Sequence, residues 1–126
     1  MTSDIRISVS TQYLPDQSEP ARRRWFWAYT VLIENQSADI VQLRRRFWRI
    51  TNALGDVESV EGPGVVGEEP TIAAGDCFQY TSGCPLDTTS GTMEGHYEMQ
   101  RTDGSTFRAN IPAFSLDMPD TPRTLN

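Results

Sequence analysis

Six residues, Gly62-Pro63-Gly64-Val65-Val66-Gly67, carry the glycine spacing of a dinucleotide-binding turn, and three carboxylates, Glu61, Glu68 and Glu69, flank them. That pairing suits two chemistries: backbone amides gathered around a phosphate, or carboxylate oxygens around a hard cation such as Mg2+ or Co2+. A nucleotide cradle needs a helix packed on its third glycine and an acidic residue ~20 positions onward to hold a ribose. Pro70 and Gly75 follow too soon for a crossover of ~10 residues to fit between strands. The segment is therefore expected to be a tight loop of a β-sandwich, its glycines at backbone angles closed to other residues and Val65 and Val66 plugging the sandwich end. At ~7 Å, each glutamate repels a unit negative charge by roughly 0.6 to 2.4 kcal/mol for dielectrics of ~80 and ~20. A divalent cation, alone or bridging to a polyphosphate, thus suits the loop better than bare phosphate.

Other reactive side chains are sparse. His96 is the only histidine, and neither a G-x-S-x-G elbow nor an H-E-x-x-H pair is present, so nucleophilic and metalloprotease sites lack their parts. On a strand His96 alternates with Tyr97 and points the opposite way, beside Glu94 and Glu98. Cys77 and Cys84 lack the close spacing of a zinc or redox pair. Without a secretory signal they are expected as two buried or half-buried thiols in a cytoplasmic protein. All 11 basic residues are arginine, which removes Walker-type phosphate loops and Schiff-base catalysis. The net charge of -6 opposes binding to nucleic acid or anionic lipid, and no apolar run is long enough to span a bilayer. Arg44, Arg45 and Arg46 precede Phe47 and Trp48, a pattern that allows guanidinium stacking on rings and an arginine–tryptophan contact surface.

The elements that must position these residues read as strands. Ile5, Ile7, Val9, Thr11 and Tyr13 alternate with polar residues, the period of a half-buried strand. Trp25 to Ile33 is almost continuously apolar and is expected to be central, with both faces covered. Within Ile40 to Thr51 the apolar parity changes from odd (Val41, Leu43) to even (Trp48, Ile50), which predicts a bulge near Arg44 to Arg46 that keeps both pairs facing the core. Shorter strands are expected at Val57 to Glu61, Pro70 to Ile72, Cys77 to Thr81 and Thr92 to Arg101, with turns at Gly55, Gly75 and Thr102 to Ser105 and a return strand at Phe107 to Ile111. No long amphipathic helix is legible. The reading is one domain over 1–126, an all-β immunoglobulin-like or fibronectin type III β-sandwich of seven to eight strands, with an ordered core over 4–116 and a flexible tail over 117–126.

Trp48-Arg49-Ile50-Thr51, Gly62-x-Gly64-Val65-Val66-Gly67-Glu68-x-Pro70, Gly75-x-x-Phe78-x-Tyr80-Thr81-Ser82-Gly83, Ser90-Gly91-Thr92-Met93-x-Gly95-x-Tyr97-x-Met99 and Ile111-Pro112-Ala113-Phe114 together resemble the ApaG family over nearly the whole chain. The resemblance implies a fibronectin type III or immunoglobulin-like sandwich. It also implies a link to cobalt resistance and magnesium efflux, and, because relatives are fused to F-box and DNA-polymerase-interacting proteins, a module that binds proteins. Phe47 stands where family members commonly carry histidine, Pro63 where an acidic or small residue is usual, and Thr89 where proline is common. A metal site that used that histidine is absent here.

The function expected from these residues is a non-enzymatic binding module with a protein partner, acting indirectly in Co2+/Mg2+ homeostasis. Gly62, Gly64 and Gly67, with Arg46 and Trp48, are its candidate contacts. The alternative is a small-ligand sensor in which Glu61, Glu68 or Glu69 holds Mg2+ or Co2+, with or without polyphosphate.

Overall fold

The computed structural model describes residues 4–119. Eight strands occur in chain order: β1 (Ile5–Tyr13), β2 (Trp25–Asn35), β3 (Val41–Asn52), β4 (Val57–Pro63), β5 (Thr71–Ile72), β6 (Cys77–Leu86), β7 (Ser90–Arg101) and β8 (Thr106–Asp117). Only two single 3-10 turns, Pro15–Gln17 and Pro20–Arg22, interrupt them. One sheet has the order β1-β2-β6; the other has the order β4-β3-β7-β8, with β5 also beside β3. All pairings are antiparallel. The chain is thus an all-β sandwich, as its turn spacing and strand periods predict.

Alternation places one side of each strand in a shared core. Trp27, Val31 and Ile33 from β2 meet Leu43 from β3 and Met93, Tyr97 and Met99 from β7, all at 1% exposure or less. Three side-chain bonds join the sheets among the described residues: the hydroxyls of Tyr80 and Tyr97 share a hydrogen bond, the Trp27 indole N–H donates to the Asp117 carbonyl at 2.9 Å, and the Asn35 amide N–H donates to the Ile72 carbonyl at 3.0 Å. Burial pushes both tyrosines well above the usual phenol range, so they stay neutral. The predicted bulge is present, because the β3–β7 register slips between Leu43 and Arg45 and leaves Arg44 as the extra residue.

Several expectations change. β2 buries only its odd-numbered side; Phe26, Ala28, Thr30 and Leu32 are half-buried on the outside. Three strands form its sheet, and with its even-numbered side only half-buried among the described residues this strand is central in pairing but not in layer. β6 runs five residues beyond Thr81, through Gly83 and Pro85. It is an edge strand, so a proline without an N–H costs no ladder bond there, and the bare Cα of Gly83 accommodates the ring of Phe26. β8 likewise continues past Pro112 to Asp117, bulging opposite Met93–Gly95. Of the flexible tail expected over 117–126, Asp117 instead ends β8 and accepts the Trp27 bond, and residues 120–126 lie outside the described residues.

Cys84 is buried, whereas Cys77 is exposed rather than half-buried, and both are free. They lie seven positions apart on extended β6, about 23 Å at ~3.3 Å per residue, far beyond the ~7 Å limit for a disulfide. Burial raises the Cys84 thiol to about 11. A thiol-specific chromogenic reagent should therefore label one group per native chain and a second only after denaturation. Two fast groups in the native protein would contradict the placement of Cys84.

Candidate functional site

The glycine-rich segment is an excursion within one edge strand. β4 pairs with β3 from Thr51 up to Arg45, and β5 resumes pairing with the same edge of β3 at Gln42 and Val41. Residues 64–70 span the gap, opposite the bulged Arg44. The strand cannot stay flat there because β3 has one residue too many, so the intervening chain arches outward. Its ends are tied to the bulge: the Gly64 N–H donates to the Arg44 carbonyl and the Leu43 N–H to the Pro70 carbonyl, each at 2.9 Å.

At the tip, Val65 and Glu68 exchange both backbone bonds, at 2.8 and 2.9 Å. Between them Val66 has φ +43° and Gly67 φ +82°. A two-residue hairpin with both central φ angles positive is a type I′ turn. Gly64 is obligatory, since a Cβ there would overlap the Glu68 carbonyl oxygen. Val65 fills the sandwich end at 1% exposure, as expected, but Val66 does not; it stands out from the turn at 52%. A β-branched residue in the left-handed region is a real outlier, and this one gains no burial in return.

Arg46 holds the segment from below. The parity change at the bulge turns its side chain inward, next to Tyr97 across β3–β7 and opposite Gly62 across β3–β4. Its Nη1 donates to the carbonyls of Pro63 and Gly64, both at 3.0 Å. A Cβ on Gly62 would lie 3.2 to 3.3 Å from the guanidinium. Gly62 is therefore the space that the arginine occupies, and Arg46 is a clamp on the loop rather than an exposed contact. Trp48 moves further from the expected surface role: it is 4% exposed, edge-on to Tyr29, Tyr97 and Phe114. Its indole nitrogen is buried without a hydrogen-bond partner. Replacing it with alanine removes a core ring, at roughly 3–5 kcal/mol, so it reports on folding and not on contact.

The three glutamates do not converge. Glu61 lies 3.7 Å from Arg45 and Glu69 2.9 Å from Arg44, while Glu68 is exposed at the turn. Among the described residues no group of three or more His, Cys, Asp or Glu side chains could hold a metal ion. With Arg44, Arg45 and Arg46 beside Glu61, Glu68 and Glu69, three charges of each sign balance, so the loop is not the acidic site its own residues suggest. Amides do not form a phosphate nest either, because those of Gly64, Val65 and Glu68 already have backbone acceptors.

A second surface lies on the outer side of β3 and β7. Phe47 and His96 stack at 4.4 Å between centroids with 19° between planes, and the Arg45 guanidinium lies 5.7 Å from the Phe47 ring. Beside the stack is a hollow of about 730 Å³ rimmed by Arg49, Ser59, Glu94 and Asn110. Burial against the stack, and then the nearby Arg108, keep His96 below the usual histidine range, with Glu98 opposing. His96 thus sits outward beside Glu94 and Glu98, as alternation predicts; its partner Phe47 depends on the β3–β7 register, which composition does not reveal. Val66 was missed because a loop valine ordinarily seeks the core.

Residues 15–101 match the family model described as the ApaG domain. The protein ApaG of Brucella anthropi is 58% identical over all 126 residues and 97% of that relative, and that of Mesorhizobium japonicum 52% over the same shares. A solved structure named ApaA from Bordetella pertussis superposes with a TM-score of 0.89 at 43% identity, covering 94% of this chain and 96% of that one.

The clamp carries a measurable load. Arg46→Ala removes two hydrogen bonds from a charged donor and should cost about 2 kcal/mol in urea unfolding. A change within ~0.5 kcal/mol would mean that the loop holds itself.

Proposed function

We propose that this chain, which belongs to the ApaG domain family, is a non-enzymatic module that binds a protein partner through the type I′ turn at Val65–Glu68. The observation that carries this reading is Val66. An apolar, β-branched side chain is held at positive φ and displayed to solvent, at a conformational cost on the order of 1–2 kcal/mol. Strain of this kind persists where surrounding structure over-determines it, and such positions cluster at binding sites. Here the clamp from Arg46, the Arg44–Glu69 ion pair and the Gln42 Nε2 bond to the Glu69 carbonyl fix the flanks. A rigid apolar tip loses little entropy on docking, which favours affinity.

The sensor alternative has less support, since two of its three glutamates, Glu61 and Glu69, face arginines and the amides of Gly64, Val65 and Glu68 have backbone acceptors. An effect on Co2+ or Mg2+ homeostasis then acts through the bound partner. No helix among the described residues is long and apolar enough to cross a membrane; two free thiols, one of them exposed, suit a reducing compartment, and on that observation we place the module in the cytoplasm.

Val66→Asn separates fold from function. Asn-Gly is the preferred type I′ pair, so the variant should gain about 1 kcal/mol of stability while losing most partner recovery from native lysate. Leu54→Asn, at a turn 70% exposed on another part of the chain, should leave recovery unchanged. Undiminished recovery with Val66→Asn would overturn the reading.

A further inference from the structure

The outer face of β3 and β7 is charged in stripes. Alternation turns Arg45, Phe47 and Arg49 outward on β3, and Glu94, His96 and Glu98 outward on β7. The register sets Arg45 opposite Glu98, Phe47 opposite His96 and Arg49 opposite Glu94. One strand therefore presents cation, ring, cation; its neighbour presents anion, ring, anion. Although they are cross-strand neighbours, Arg49, Glu94 and Glu98 make no ion pair among the described residues, and Arg45 contacts Glu61 at 3.7 Å.

We propose that this face is the contact between two copies of the chain, related by a twofold axis that lies between the faces and runs parallel to β3 and β7. Rotation about that axis exchanges left and right and preserves height along the strands. The β3 stripe of one copy then meets the β7 stripe of the other: Arg45 faces the second copy's Glu98, Phe47 its His96 and Arg49 its Glu94, each pair occurring twice. Glu61, in register with Phe47, faces Asn110, in register with His96, so a carboxylate meets an amide donor. The other in-plane axis, perpendicular to the strands, would set Arg45 against Arg49 and Glu94 against Glu98. Charge thus selects one orientation, as an isologous contact requires.

A purely acidic partner would meet Glu94 and Glu98, and a purely basic one Arg45 and Arg49; the stripes fit a surface that carries both signs in the same spacing, and the chain's own face does. The area is adequate. β3, β7 and β8 each have 12 residues. At ~3.3 Å per residue and ~4.8 Å between strands, four strands offer on the order of 700 Å² per copy, close to the ~800 Å² of a standard interface. The long side chains of Arg49 and Glu94 from both copies would fill the facing hollows.

Sedimentation velocity from ~1 to ~200 µM decides the matter. Wild type should be dimeric in this range and shift toward monomer in ~1 M salt. Arg49→Glu and Glu94→Arg should each weaken association by on the order of a hundredfold, because each places two like-charge pairs across the axis. An equimolar mixture of the two variants should reform a dimer with one chain of each, and so should the double variant Arg49→Glu/Glu94→Arg as a homodimer, with circular dichroism showing each chain folded. A wild type that stays monomeric at ~200 µM, a dimer indifferent to the single swaps and to salt, or a mixture that fails to reassociate would overturn the proposal.

Discussion

A guanidinium beneath a bare stretch of backbone is the constraint from which the rest of the site follows. Arg46 faces inward only because β3 carries one extra residue at Arg44. Once inward it needs acceptors, and the carbonyls of Pro63 and Gly64 supply them. A half-buried arginine in this position has no carboxylate within 4 Å among the described residues, so the loop carbonyls do the work a counter-ion would otherwise do. Gly62 must then lack a side chain, Gly64 must clear Glu68, and the chain must turn sharply before rejoining β3 as β5. The glycine spacing that suggests a nucleotide cradle is thereby explained by packing around an arginine.

Much of this architecture was legible in the residues. β1, the hairpin at Asp103 and the bulge in β3 follow from parity and turn chemistry, local signals that need no knowledge of neighbours. Edge position is not local: whether Pro85 ends β6 or rides on its free edge depends on which strand lies beside it, and only the sheet order settles that. Layer number is not local either, which is why an unbroken apolar run in β2 read as doubly covered. At the site, the arginine and the glycines were found but with exchanged roles. Trp48, which parity and the bulge turn to the core, was also read as contact and is core alone; Arg46 was read as contact and is support; Val66 was read as support and is the exposed tip. Each reversal has one origin, the inside–outside assignment of a residue next to a bulge or in a tight turn, where simple alternation fails.

The sandwich therefore offers two surfaces of different character. The turn at Val66 is small, apolar and conformationally fixed, suited to insertion into a partner's pocket. The outer face of β3 and β7 is broad, charged in ordered stripes and centred on the Phe47–His96 stack, suited to matching an equally ordered surface. Both surfaces are shaped for contact with another surface, and the binding reading proposed above rests on that.

The account's central claim is that the glycine segment is a clamped, backbone-satisfied turn rather than an open anion cradle. Native-state amide hydrogen exchange, read residue by residue by NMR, tests it most directly. The account predicts slow exchange for the amides of Gly64, Val65 and Glu68, which donate to backbone carbonyls, and nearly unprotected exchange for Val66 and Gly67 at the tip. Rapid exchange across the whole of 62–68, or protection of Val66 and Gly67 that appears only with added pyrophosphate, would contradict it.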